Sequence, residues 1–396
     1  MPLKESVRRL LVPVVWAFLL LPACGYGASA FTPDDPYFLY DAALRPTFPG
    51  QWHLKNTAPA SILFTDPSDK QKTTMANASV SANLTGAWSL GYTGSGVIIG
   101  IVDDGVDGAN YDLAPNYRSD LSRNFSDDAD LAAAPQGPQQ LGDNHGTAVA
   151  GVAAARGGNK LGGTGAAPFA QIAGLRINIG DATDGDPDVS AQNYRDAYYW
   201  YSGVNSGTGA RQSAATIRVK NHSYGPSTPF FNEDPDGSLR LAVKRTALNK
   251  VIHVWSAGND RGAANEDSAK QQVIGTPYVI TVAALGSDGK FANYSSFGAN
   301  VFVTAPSSRS DLTGFGITTT DRTGDGYGYN RHSPQNPNGD RTDAFSDTSY
   351  TSTFGGTSSS APLVSGIMAL GVQANAAMDL RMAQHVLVRT SDVVDT

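Results

Sequence analysis

The sequence predicts a three-layer α/β fold in which a mainly parallel central sheet is covered by helices on both faces. Short apolar runs rich in β-branched residues alternate along the chain with helix-compatible runs, and elements in this order build parallel sheets. The apolar runs resemble strands that are buried on both sides. These predicted strands cover residues 97–102, 172–177, 217–219, 251–255 and 278–282.

Helices are predicted between the strands, over residues 146–155, 189–203 and 239–248. Residues 307–354 interrupt the alternation, because they are rich in Thr, Ser, Gly, Asp and Asn and have little apolar periodicity. We therefore expect a long surface insertion there. A buried helix of small and apolar residues is predicted after it, and then an amphipathic helix.

The composition is typical of one large globular domain. Of the 396 residues, 40% are hydrophobic and 16% are charged, which favours a sizeable buried core over disorder. The formal net charge of -7 leaves no basic surface for nucleic acid. We expect a monomer without a nucleic-acid partner.

The first 30 residues resemble an export signal. Basic residues precede the apolar run 10–21, which has the length of a signal-peptide core and is short for a membrane span. Residues 21–24 resemble a bacterial lipoprotein box that ends at Cys24, whereas residues 28–30 resemble an ordinary signal peptidase site. We expect a secreted or cell-surface protein, with outer-membrane anchoring through a lipidated Cys24 as one alternative.

Cys24 is the single cysteine of the chain. Neither a disulfide framework nor a cysteine-based metal site is therefore possible. Cys24 is either the lipidated residue or an incidental cysteine in a discarded peptide. Residues 31–50 are punctuated by prolines and are predicted to form a loop-like N-terminal extension, so the folded domain is expected to cover residues 51–396.

Three side chains in separate elements are suited to nucleophilic catalysis. Asp103 follows a predicted strand, and functional groups gather at the carboxyl ends of parallel strands. His145 precedes a run of small residues, and Gly146 permits close backbone approach. Ser358 begins a predicted helix, whose N-terminal N–H groups can stabilise an oxyanion. A carboxylate, an imidazole and a hydroxyl are the parts of a serine-protease triad.

A second oxyanion donor is also present in the sequence. Asn259 follows the predicted strand 251–255, so its amide can project from the same sheet edge as Asp103. Charge on a tetrahedral oxygen needs such preorganised donors.

The motifs around these residues resemble the subtilase superfamily, peptidase family S8. The resemblance rests on 101–105, 145–147, 257–259 and 356–362, in the same chain order, and extends over about 51–388. Residues 51–56 and the pair Asp103-Asp104 are similar to the kexin and proprotein-convertase branch, here in a protein expected to be bacterial. The resemblance implies a subtilisin-like serine endopeptidase that forms an acyl-enzyme on Ser358, with Asp103 and His145 completing the triad and Asn259 the oxyanion hole.

The resemblance also implies how a polypeptide substrate binds. Ser223, Tyr224 and Gly225 are expected to pair with it as an added strand. Kexin-like enzymes cut after paired basic residues, but the acid expected after residues 223–226 is replaced by Ser and Thr. We therefore expect a neutral or apolar first subsite. The acidic loop 232–236 either supplies a carboxylate there or is a solvated turn.

A basic side chain is still favoured at the second subsite, by Asp104 and Asp143. The resemblance further implies structural calcium bound by Asp112 and Asn159, with Asp35 as a third ligand, because calcium prefers oxygen donors. The alternative for Asp112 is a turn cap. No redox or nucleotide cofactor is expected.

Two rival functions are compatible with the same motifs. A non-catalytic surface module that kept the scaffold is one, although the intact triad residues argue against it. A peptide ligase or cyclase is the other, because water and an amine compete for the same acyl-enzyme.

Overall fold

A seven-stranded sheet forms the centre of the computed structural model. The structure describes residues 29–65, 72–78, 80–126, 136–140, 142–177, 179, 191–205, 216–226, 234–309, 315–324, 328–330 and 343–394. The predicted export signal, including Cys24, lies outside these residues. Residues 232 and 233 of the acidic loop 232–236 also lie outside them, whereas Asp234 to Asp236 lie inside.

The strands and helices are numbered in chain order. The strands are β1 Ser61–Thr65, β2 Lys72–Ala76, β3 Ile98–Asp103, β4 Arg123–Asn124, β5 Gln171–Arg176, β6 Val219–His222, β7 Ile252–Ser256, β8 Ile280–Leu285, β9 Val301–Pro306, β10 Ile317–Thr320 and β11 Tyr350–Phe354. The helices are α1 Thr85–Ser89, α2 His145–Ala154, α3 Ala191–Tyr199, α4 Ser238–Leu248, α5 Thr357–Ala374 and α6 Leu380–Thr390, with a short 3-10 helix at Ser268–Lys270.

The central sheet has the strand order β4-β5-β3-β6-β7-β8-β9. Every neighbouring pair in it is parallel. Parallel neighbours need crossover connections, which explains why the predicted strands alternate with helices. The predicted α/β class is confirmed, although β6 begins two residues later than the apolar run 217–219.

Both faces of the sheet are covered. Along β3, Ile99 and Ile101 belong to one buried cluster, together with residues of α2 and α5. The alternate residues Ile98 and Val102 belong to a second cluster, together with residues of α3 and α4. Because successive side chains of a strand point to opposite faces, this division places one helical layer on each side.

The segment predicted as a surface insertion, 307–354, is buried at both ends. Within it β10 pairs with β11 as an antiparallel ribbon. The hydroxyls of Thr319 and Thr320 donate to the carbonyl oxygens of Ala148 and Thr147 in α2, at 2.7 and 2.8 Å. Threonine can therefore be buried here because helix carbonyls accept its hydroxyl, and a polar composition does not mark this strand as exposed.

The N-terminal extension, 31–50, contains turns but neither a helix nor a strand. It is nevertheless packed against the domain, since Phe38 is buried in the large cluster and Phe48 packs with Phe345 and Tyr350. Ordered structure thus begins before Gln51, the expected boundary. No helix within the described residues has both the length and the hydropathy needed to cross a bilayer.

Candidate active site

Parallel strands bring the predicted catalytic residues to one edge of the sheet. Asp103 is the last residue of β3. In the neighbouring β6, His222 lies opposite Val102, so Ser223 follows at the level of Asp103. The next strand, β7, ends three residues before Asn259. The carboxyl ends of these strands therefore form the floor of the site.

Asp103 and His145 are joined by a hydrogen bond. The distance from His145 Nδ1 to Asp103 Oδ1 is 2.8 Å, and Asp103 is fully buried. With the proton on Nδ1 facing the carboxylate, Nε2 is left with a lone pair and can act as a base. The first two members of the predicted triad are thus assembled.

Asp104 holds the helix that carries His145. Its carboxylate accepts the backbone N–H groups of His145 and Gly146, at 3.0 and 2.6 Å. These donors have no partner inside a helix, so an acid at this place satisfies them and interacts favourably with the helix dipole. A Cβ atom at Gly146 would overlap the carbonyl oxygen of Gly105, which explains the glycine after the histidine.

Ser358 lies in the first turn of α5. Its hydroxyl donates to the carbonyl oxygen of Ser223 at 3.2 Å, and the hydroxyl of Ser223 donates to the carbonyl oxygen of Ser358 at 3.1 Å. Ser358 is therefore held at the end of β6, beside the strand that ends in Asp103. In this side-chain arrangement the hydroxyl bonds to Ser223 and not to the imidazole of His145.

Thr357 fixes the amide of Asn259. The backbone N–H and the hydroxyl of Thr357 both donate to Asn259 Oδ1, at 2.8 and 3.0 Å. The same hydroxyl accepts the N–H of Gly258 at 3.1 Å. Because Oδ1 is fully engaged, the orientation of Nδ2 is set, and Nδ2 together with the N–H of Ser358 can serve an oxyanion.

Two carboxylates act on the titration of His145. Burial by itself lowers the pKa of His145, but the charge of Asp103, its hydrogen bond and the charge of Asp104 outweigh burial and raise the pKa to about 9. Burial and the charge of Asp103 in turn raise the pKa of Asp104 to about 7. The imidazole therefore retains a proton to a higher pH than an isolated histidine.

The predicted substrate strand is only partly exposed. The hydroxyl of Tyr224 contacts Tyr198 Oη and His222 Nδ1, each at 3.0 Å. The indole of Trp255 donates to the carbonyl oxygen of Tyr224 at 2.8 Å. The side chain of Tyr224 is thus directed into the protein, Ser223 is buried, and Gly225 is exposed.

The two acids expected at the second subsite are both engaged within the protein. Asp104 is 5% exposed and accepts the two N–H groups of α2. Asp143 is 7% exposed and forms an ion pair of 3.0 Å with Arg176. Arg176 is not among the predicted site residues, although its place near the end of a predicted strand next to β3 puts it at the same sheet edge as Asp103.

The predicted calcium ligands lie together. The amide of Asn159 donates to Asp112 Oδ1 at 2.8 Å, and Asp35 accepts the N–H groups of Gly158 and Asn159 at 2.8 and 3.1 Å. Burial raises the pKa of Asp35, and it raises that of Asp112 to about 6.

Among the described residues, neither Asp35 nor Asp112 forms an ion pair with a basic side chain. The two buried carboxylates supply oxygen ligands of the kind that a hard cation prefers, whereas the amide of Asn159 presents Nδ2 to Asp112 and its Oδ1 accepts the N–H of Leu161 at 3.0 Å. No group of three or more His, Cys, Asp or Glu side chains that could hold a metal occurs in the part of the chain that the structure describes.

The chain is similar to known proteins over most of its length. The family described as Subtilase family, Peptidase S8, matches residues 94–396. The chain is 27% identical over 354 residues to neuroendocrine convertase 2 of Homo sapiens, covering 87% of this chain and 46% of that protein. It is 27% identical over 363 residues to furin of Homo sapiens, covering 89% of this chain and 37% of furin.

A solved structure, the serine protease of Aeromonas sobria, is similar with a TM-score of 0.69 and 26% identity, covering 94% of this chain and 61% of that chain. The chain therefore spans less than half the length of the two convertases and 61% of the length of the bacterial protease.

Proposed function

The chain belongs to the subtilase family, and from this premise we propose that it is a serine endopeptidase that hydrolyses peptide bonds in extended polypeptides. The observation that carries the proposal is the 2.8 Å bond between Asp103 and His145, at the sheet edge where Ser358 is held. Motifs that are far apart in the sequence and share no function are not expected to meet at one edge of the sheet.

In the proposed reaction Ser358 attacks the carbonyl carbon of the scissile peptide bond. For this step its hydroxyl exchanges the acceptor Ser223 for Nε2 of His145, which takes the proton as the new C–O bond forms. Asp103 orients the imidazole and stabilises its positive charge. The negative oxygen is met by Nδ2 of Asn259 and the N–H of Ser358.

Collapse of the tetrahedral intermediate breaks the C–N bond. His145 returns the proton to the departing amine, and the acyl group remains on Ser358. A water molecule then repeats the attack with His145 as its base, which releases the acid product and restores the hydroxyl. Water is the proposed acceptor of the acyl group, so the net reaction is hydrolysis.

The proposed substrate binds as an added strand. The backbone of Ser223 and Gly225 follows β6 at the catalytic edge, where main-chain hydrogen bonds can hold an extended peptide irrespective of its sequence. We propose a neutral or apolar first subsite, since Ser and Thr follow residue 226 where the convertases carry an acid. Those two residues lie outside the described part of the chain.

We further propose that a structural calcium ion is bound by Asp112, Asn159 and Asp35. The ion would supply positive charge to two buried carboxylates and would tie the N-terminal extension to the domain. We also propose that the chain is exported and acts as a monomer, with lipidation of Cys24 as the alternative to complete release.

The proposed activity is tested by digestion of an unfolded protein with the wild type and with Ser358→Ala, followed by sequencing of every new terminus. New termini that need Ser358 are expected, as is labelling of Ser358 by an organophosphonate. A control is Ser360→Ala in the same helix, where the hydroxyl bonds to the carbonyl oxygen of Ala305 at 2.9 Å; it should retain both results. Equal cleavage by wild type and Ser358→Ala would contradict the proposal.

A further inference from the structure

A buried arginine lies at the catalytic edge of the sheet. Arg176 is the last residue of β5 and is paired in the parallel register with Asp103. It is 4% exposed. An arginine buried next to a catalytic carboxylate needs acceptors close by, because an unpaired buried charge is strongly unfavourable.

Arg176 finds these acceptors in two neighbouring segments. Its Nη2 donates to Asp143 Oδ2 at 3.0 Å. Its Nη1 donates to Ser126 Oγ at 2.8 Å and to Asn124 Oδ1 at 3.3 Å. The guanidinium thus connects β4 with the loop that leads into the helix of His145.

Asp143 Oδ2 is saturated by this arrangement. Besides Arg176, it accepts the backbone N–H groups of Gln139 and Gln140, at 2.8 and 3.0 Å. Three donors on one carboxylate oxygen, one of them charged, leave little electrostatic attraction for a further cation.

We infer that Arg176 is a specificity-determining residue, which occupies the carboxylate of Asp143 and so closes the second subsite to lysine and arginine. The second subsite is the pocket for the residue next to the one whose carbonyl is cut, on its N-terminal side. The inference rests on the proposed peptidase function. It assigns to the chain substrates with uncharged side chains at this position.

A substrate lysine would have to displace Arg176 or lie beside it. Displacement would leave a buried guanidinium without its anionic partner, and coexistence would place two positive charges next to each other. Asp104 cannot serve as the acidic partner of the substrate lysine instead of Asp143, because both of its oxygens accept N–H groups of α2. The guanidinium of Arg176 thus already supplies the positive charge beside Asp143 that a basic substrate side chain would supply.

The experiment is a peptide library that varies only the second position, cut by the wild type and by Arg176→Met. The wild type is expected to prefer uncharged residues there. Arg176→Met frees Asp143, so cleavage with Lys, relative to Leu, is expected to rise about tenfold or more, as for a desolvated charge pair at an interface. Arg176→Lys keeps the positive charge and should cut like the wild type.

The double variant Arg176→Met/Asp143→Leu separates specificity from folding. It replaces the ion pair by two apolar side chains, which buried sites commonly tolerate, and it should lack the gain for Lys. The same gain in the double variant would overturn the inference. If Arg176→Met does not fold, the wild-type profile still decides, because a wild-type preference for Lys or Arg at this position would overturn it too.

Failure of this inference is distinguishable from failure of the proposed function. In the first case peptides are cut, with Ser358 required, but basic residues are preferred at the second position. In the second case the wild type cuts no more peptide than Ser358→Ala does.

Discussion

The carboxylate of Asp104 accepts the backbone N–H of His145 at 3.0 Å. The residue after one predicted triad member therefore anchors the helix that carries another. Since Asp103 contacts the ring of the same histidine, two consecutive acids hold His145 from two sides, one by its ring and one by its backbone.

Replacement of Asp104 by Asn is expected to shift the pH profile. Burial lowers the pKa of His145, whereas Asp103 and Asp104 raise it. The base is active only when neutral, so activity rises with pH through this pKa. Loss of the Asp104 charge should move the acidic limb of kcat/KM to lower pH by about one unit, the lower end of the effect of a neighbouring charge.

The measurement is kcat/KM against pH for the wild type and Asp104→Asn. The control is Asp41→Asn, which also removes an acid that accepts backbone N–H groups, from Ala43 and Leu44, but far from the triad in sequence and without contact to it. An acidic limb that stays in place in Asp104→Asn, or moves to higher pH, would contradict the electrostatic role.

Replacement of Thr357 by Val is expected to lower kcat with little change in KM. The variant loses the 3.0 Å bond to Asn259 Oδ1 and the 3.1 Å bond from the N–H of Gly258, so the amide donor is less well fixed. Two net hydrogen bonds of about 1 kcal/mol each correspond to a loss of up to about 30-fold. Thr357→Ser retains the hydroxyl and should be close to the wild type.

Removal of the Asn259 amide should be more severe. Asn259→Ala is expected to lose about 100- to 1,000-fold in kcat, the range known for the amide donor of subtilisin, which is itself a member of this family. Steady-state kinetics on one peptide compare the two variants. A loss in Thr357→Val as large as that in Asn259→Ala would mean that Thr357 does more than orient the amide.

Calcium is expected to stabilise the folded protein through Asp112. In a Ser358→Ala background, which prevents self-digestion, calcium at about 100 times its Kd contributes about 2.7 kcal/mol, or a rise in Tm of about 5 °C. Asp112→Asn should lose most of this rise, whereas Asp120→Asn, an exposed acid paired with Arg118, should keep it.

The protection by calcium should also weaken on acidification. Burial raises the pKa of Asp112 to about 6, so protons compete with the ion below that pH. Thermal melts with calcium and with a chelator, at several pH values, measure both effects. An equal Tm with calcium and with chelator in the parent protein would refute the calcium site.

His53 is expected to make the protein less stable in acid. Burial lowers its pKa to about 3, and among the described residues neither ring nitrogen has a hydrogen-bond partner. Below the ordinary histidine pKa the unfolded chain therefore binds a proton that the folded chain does not. As the pH falls, this group should therefore lower the free energy of unfolding by up to about 1.4 kcal/mol for each pH unit.

The window for this loss lies between the ordinary histidine pKa of about 6.5 and about 3. Chemical unfolding of His53→Leu, in the Ser358→Ala background, should have a shallower slope with pH in that window. His385→Gln, at an exposed histidine on α6, is the control and should leave the slope unchanged. An unaltered slope in His53→Leu would contradict the prediction.

Local patterns in the sequence were sufficient to identify the fold class and the candidate triad. Buried parallel strands need continuous apolar runs, and β3, β5 and β7 lie within one residue of the runs that predicted them. Strand β10 was not predicted, because it contains three threonines and no continuous apolar run. Its threonines look exposed in composition, and they are buried only because α2 offers carbonyl acceptors.

The sequence by itself determined the set of reactive groups and the separate elements that carry them. The period of a strand, the start of a helix and the position of a glycine can each be identified from residues that are neighbours in the chain. Only the tertiary structure decided which of the predicted acids have a partner within the protein. Asp143 meets Arg176, 33 residues away in the chain, and a partner of that kind depends on which strand ends pack together. A carboxylate's role follows from the donor that reaches it, and that donor comes from another part of the fold.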